Sequence, residues 1–166
     1  MKAPLCVVVF AFFCSGLPAG ATSEELDYNG VGVRAGMTIR PDQFHFGGHV
    51  DLGEFTEGFR FQPNVEIGLG EDRTLLAFNA EGLYFFDRSH RWTPYTGGGI
   101  GVHLDRHSKG VSDSDRTITD VGLNVLAGLE RSIKKDRALF VETKIGIDDA
   151  PDFKLTVGMT FFKKTE

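Results

Sequence analysis

From residue 30 to residue 162 the chain alternates apolar and polar positions with a period of two, and the alternation hardly stops. A period of two is the signature of β-strands, whose successive side chains point to opposite faces. Eight runs carry it: 30–39, 43–53, 58–70, 73–86, 92–104, 117–130, 138–147 and 153–162. The first sets Val31, Val33, Ala35, Met37 and Ile39 on one face against Arg34 and Thr38 on the other. The sixth sets Val121, Leu123, Val125, Ala127 and Leu129 against Asp120, Asn124 and Glu130. Each run has the length of a tilted membrane strand, roughly 9–11 residues.

The separators RPDQ, GEFTEG, GEDR, DRSHR, DRHSKGVSDSDR, KKD and DDAPD are rich in Gly, Pro, Asp and Ser. These residues supply the dihedrals and local hydrogen bonds of turns. None of the separators has the length or periodicity of a crossover helix, so neighbouring strands are expected to be antiparallel and hairpin-joined. The expected fold class is all-β: an eight-stranded antiparallel up-and-down transmembrane β-barrel. With both ends on one rim, the longest loop, 105–116, falls on the opposite rim, as do the turns at 148–152.

Alternation alone does not say which face is inside. A soluble carrier barrel is apolar within, and a membrane barrel is the reverse. The polar faces hold many glycines, among them Gly32, Gly36, Gly97, Gly99, Gly101, Gly128 and Gly158. Glycine gives a solvent face nothing, but within a narrow barrel it makes room for large polar neighbours. Those neighbours are Arg34, Arg60, Lys144 and Lys154 against Asp51, Glu66, Glu81, Glu130 and Glu142. Nine such residues are expected to form a structural charge network inside, because buried charges must be paired. The apolar face is almost free of charge. It places Phe44, Phe59, Tyr84, Phe86, Trp92, Phe153 and Phe161 near strand ends, where aromatic girdles meet the membrane interface. Pro63 fits badly in mid-strand, since it has no N–H for the ladder, and requires a bulge or an unpaired position.

The N-terminal segment changes the compartment. Lys2, the apolar run 5–13 and the small-residue stretch Pro18-Ala19-Gly20-Ala21 make a secretory signal, expected at 1–21 and cleaved after Ala21. The run is too short for a spanning helix. The bulky residues before Cys14 argue against lipidation there. A polar lead-in, 22–29, precedes the barrel at 30–162, and 163–166 is a tail. Both cysteines, Cys6 and Cys14, lie in the signal, so disulfides and thiolate chemistry are not expected beyond it. The whole chain has 18 Lys+Arg and 23 Asp+Glu; without Lys2 the net charge falls from −5 to −6. Such a balance argues against a nucleic-acid partner.

The segments RFQPNVEIGLG, RWTPYTGGGIGVHL, TDVGLNVLAGLE and PDFKLTVGMTFF resemble small outer-membrane β-barrel proteins of the OmpA/OmpX-like group. The resemblance spans the whole of the expected mature chain and implies location in the outer membrane of a Gram-negative cell. Its motifs are strand-and-turn features, so it carries over no functional residue. Such barrels commonly end on an aromatic residue; here KKTE follows Phe161 and Phe162, displacing that signal. No wall-binding domain follows either, which turns the expectation away from a tether.

Candidate chemistry is sparse. Asp105, His107 and Ser108 stand together in the longest loop, the components of a lipid hydrolase, but adjacent residues of a loop rarely hold nucleophile, base and acid in line. His45, His49 and His103 are expected to point inward and would need Asp51 or Glu66 to complete a metal site. Asp148, Asp149 and Asp152, with Asp113 and Asp115, could attract calcium, though their spacing matches no calcium loop. The expectation is therefore no enzyme, no cofactor and no resident metal. The protein would be a monomeric barrel with a polar, plugged lumen. It would contact outer-membrane lipid and present loops 105–116 and 148–152 to a surface partner. The alternatives are a periplasmic carrier of an apolar ligand and a surface lipid hydrolase.

Overall fold

A computed structural model describes residues 28–40, 42–71, 73–86, 91–107, 116–148 and 153–163. The expected signal and most of the lead-in and tail lie outside them. Ten strand segments follow in order: β1 (Gly30–Ile39), β2 (Gln43–Asp51), β3 (Glu54–Thr56), β4 (Phe59–Phe61), β5 (Asn64–Leu69), β6 (Arg73–Phe85), β7 (Thr93–His107), β8 (Arg116–Lys134), β9 (Arg137–Asp148) and β10 (Phe153–Phe162). Every pairing is antiparallel, each long strand pairs with the next, and β10 returns to β1. The sheet thereby closes without an edge. Short β3 prolongs β2, and β4 prolongs β5, so the ten segments make the eight staves of an up-and-down barrel.

The alternation of the sequence becomes the alternation of the wall. Along β1 the even-numbered residues are turned inward, with Arg34 and Thr38 buried, while Val31, Val33, Met37 and Ile39 face out. The outer face leaves Phe44 at 67% and Val121 at 62% exposure, with Ile145, Leu123 and Phe46 close behind. An apolar surface that encircles a protein is an aggregation hazard in water and a fit to lipid. A carrier of apolar ligands would need the opposite facing.

Three departures from the sequence reading are informative. The segment GEFTEG is not merely a turn. β3 and β4 pair across Gly58 with a register shift, and Gly53 and Gly58 adopt positive φ of 76° and 77° that favour glycine. Asp51 helps make the bend, accepting the Gly53 N–H at 2.8 Å. Pro63 needs no bulge against β6, where Phe61–Gly82 and Asn64–Asn79 lie on one uninterrupted register. On its β2 side its carbonyl still accepts from the Val50 N–H at 2.9 Å. Finally, the β7–β8 hairpin runs further than expected. Asp105, Arg106 and His107 are strand residues paired to Ile118, Thr117 and Arg116. That hairpin tip, 108–115, and residues 149–152 lie outside the described residues.

Candidate functional site

The lumen is stacked in layers, and its centre is ionic. Arg34 from β1, Glu66 from β5, Glu81 from β6, Glu142 and Lys144 from β9 and Lys154 from β10 all point inward, none more than 4% exposed. Glu142 and Lys144 share a face because they are two residues apart in one strand. Arg34 Nη1 lies 3.2 Å from Glu66, 3.7 Å from Glu81 and 3.8 Å from Glu142. Lys144 and Lys154 are register partners of like charge. Glu66 resolves the conflict, 2.6 Å from Lys154 and 3.9 Å from Lys144, which also pairs with Glu81.

Neutral groups complete the set. Arg34 donates to Gln62 at 2.9 Å, Asn64 donates to Glu81 at 2.8 Å, Asn79 to Asn64 at 2.8 Å and Tyr95 to Glu142 at 3.0 Å. Three cations thus meet three anions, with hydrogen bonds on most of what remains. Only such satisfaction makes burial of charge tolerable.

Toward the rim that carries the termini the lumen turns apolar. Leu83, Phe85, Tyr95, Leu126 and Phe140 form one buried cluster. The rings of Phe85 and Tyr95 stand 4.9 Å apart. This layer departs from the wholly polar lumen expected from the sequence. Its signal is present, because in β6 and at the start of β9 both alternating faces are apolar near that rim. Below the cluster sits Arg60, 3.2 Å from Asp51 and 3.1 Å from Glu130 and stacked 4.2 Å over Phe85. All nine residues of the expected network therefore face the lumen. They are split into a central group of six and a rim group of three by an apolar layer.

The large side chains find room over glycines. A Cβ on Gly128 would collide with the Tyr95 ring, on Gly158 with Phe140, and on Gly32 with His49. Gly128→Ala is expected to displace Tyr95 from Glu142 and cost about 1–3 kcal/mol, as overpacking does. The midpoint of urea unfolding in lipid vesicles measures it; an unchanged midpoint would show that Tyr95 is free to move.

The remaining candidates do not converge. His45 bridges Thr38 and Thr156 at 3.0 Å each, and His49 meets Thr160 at 3.0 Å. Asp51 and Glu66, the acids that would complete a metal set, are held by cations instead. Among the described residues no group of three His, Cys, Asp or Glu could hold an ion. Asp105 is buried and pairs with Arg73, and both it and His107 are backbone-paired strand residues of β7 rather than loop residues. Ser108, Asp113, Asp115, Asp149 and Asp152 lie outside the described residues. So does the tip of each loop expected to meet a partner.

A closed eight-stave barrel with an apolar outer belt and a charged, filled lumen is the architecture of the small outer-membrane β-barrels of OmpA/OmpX-like type. Solved structures agree. The Neisserial surface protein A is similar at a TM-score of 0.65 and 16% identity, over 82% of this chain and 97% of that one. The N-terminal barrel domain of Pseudomonas aeruginosa OprF is similar at 0.66 and 14%, over 82% and 98%. A de novo designed transmembrane β-barrel is similar at 0.60 and 12%, over 84% and 98%. At these identities the likeness establishes the fold. No protein-family profile matches the sequence, and no curated protein matches it.

Proposed function

We propose that the protein is a monomeric, non-conducting barrel of the bacterial outer membrane. In this reading it is exported by a cleaved signal at 1–21, and its role is structural or in surface interaction rather than catalytic. The observation that carries this reading is the lumen itself. Eight staves enclose little more than side-chain volume. Here that volume holds a six-membered ionic layer, an apolar layer and the Arg60 clamp in series. Charges that neutralise one another across a barrel tie non-adjacent staves together. Arg34 of β1 reaches β5, β6 and β9, which strand pairing alone does not link to it. With the interior occupied by this bracing, the surfaces left for function are the lipid-facing wall and the loops. The loops opposite the termini would face outward, and 105–116 and 148–152 would meet any surface partner.

The test has two parts. Protein from the outer-membrane fraction should migrate faster on a denaturing gel unboiled than boiled, the mark of a closed barrel. The same protein in planar bilayers should pass no large steady current. Porin-like currents would overturn the plugged lumen, and recovery as a soluble periplasmic protein would overturn the location.

A further inference from the structure

Among the described residues, the terminal rim carries a cluster of cations on one side of the barrel. The sequence ERSIKKDR spans the end of β8, a two-residue turn and the start of β9. Within it Lys134, Lys135 and Arg137 are exposed and Arg131 is half-buried. The acid that precedes them, Glu130, turns into the lumen toward Arg60. Asp136 lies 3.7 Å from Arg137 Nε. Lys134 and Arg137 are also register partners. Like charges directly opposed in a ladder destabilise it, and an anion bound between them would relieve that cost.

The surroundings say which anion. Arg131 lies 5.7 Å over the Trp92 ring and Arg137 lies 5.6 Å over the Phe161 ring. Arg137 and Phe161 are register partners. Ile133, between the cations, is 51% exposed. Guanidinium groups held against aromatic rings, with an apolar side chain among them, suit an interface between hydrocarbon and headgroup. They do not suit a ligand free in water.

We propose that this β8–β9 corner, with Trp92 and Phe161, binds the phosphate headgroup of an anionic phospholipid in the leaflet on the terminal side. The proposal rests on the outer-membrane reading above. Arginine's planar fork matches phosphate oxygens, and Lys134 and Lys135 add the attraction of point charges. The site would favour a headgroup with net negative charge over a zwitterionic one and would fix the barrel's depth on this side.

Trp92 is the single tryptophan of the chain and lies within the corner, so its emission reports occupancy. Folded protein would be reconstituted in phosphatidylcholine vesicles carrying a small fraction of brominated phosphatidylglycerol or brominated phosphatidylethanolamine. Brominated phosphatidylglycerol should quench Trp92 at the lower mole fraction, and Arg131→Gln should weaken that preference about fivefold. The variant with Arg131, Lys134, Lys135 and Arg137 all changed to Gln should quench equally with both lipids. Should that variant fail to fold, Arg131→Gln and a Lys134→Gln, Lys135→Gln pair carry the test separately. Equal quenching of the unaltered protein by both lipids would overturn the proposal alone. So would loss of the preference on adding inorganic phosphate at constant ionic strength. Failure of the protein to float with either vesicle would overturn the membrane reading and the proposal with it.

Discussion

Replacing Arg34 by Met should cost the barrel about 3–5 kcal/mol, the range for breaking a buried charge set by removing one partner. Arg34 lies within 4 Å of all three central carboxylates, as Lys144 of β9 also does. Arg34 also stands 5.5 Å over the Phe140 ring. Without it, Glu66, Glu81 and Glu142 face only Lys144 and Lys154, and one negative charge is left in a closed lumen. The wall is a continuous hydrogen-bonded sheet and cannot open to admit enough water to compensate. Urea unfolding in vesicles measures the loss.

The companion variant isolates the cause. Glu142 is the central acid whose contacts to Arg34 and Lys144 are longest, 3.8 and 4.0 Å. In Arg34→Met with Glu142→Gln, two cations meet two anions, and the amide oxygen still accepts from Tyr95. This double variant should be more stable than Arg34→Met alone, with a coupling of about 0.5–3 kcal/mol. If it is instead less stable than the single variant, charge balance is not what Arg34 supplies.

How much of this was legible beforehand follows from what strand periodicity encodes. It gives the face of every residue, so Arg34, Glu66 and Lys154 could be placed in the lumen from parity and glycine content alone. It does not give height along the barrel axis, because that depends on the stagger between staves, which appears only when registers are known. From sequence Arg60 is therefore indistinguishable from the other members of a single network. Its contacts with Asp51, Glu130 and Phe85 put it in a separate group at the terminal rim.

The length of the β7–β8 hairpin is hidden in the sequence for a different reason. Polar residues such as Asp105 and Arg106 read as loop, although a strand that continues beyond the apolar belt has no need of an apolar outer face. Asp105 keeps the inward parity of Tyr95 and His103, and that parity was the available sign.

Phe140→Ala should cost about 3–5 kcal/mol, and the size of the effect distinguishes a packed lumen from a merely filled one. The ring of Phe140 lies over Gly158, stands 5.5 Å from that of His49 in an edge-to-face arrangement and supports the Arg34 guanidinium. Truncation removes its transfer energy and leaves a cavity that the closed wall cannot collapse around. Phe44→Ala is the matched comparison. Phe44 is 67% exposed on the outer face, where lipid flows into any space a truncation leaves. That change should cost only the transfer term, about 1.5–3 kcal/mol. The excess of Phe140→Ala over Phe44→Ala is then the cavity term, measured within one fold by one unfolding assay. Equal losses at the two positions would mean that the apolar layer yields like lipid. The separation of the Arg34 and Arg60 groups would then lie in the geometry of the staves and owe nothing to packing between them.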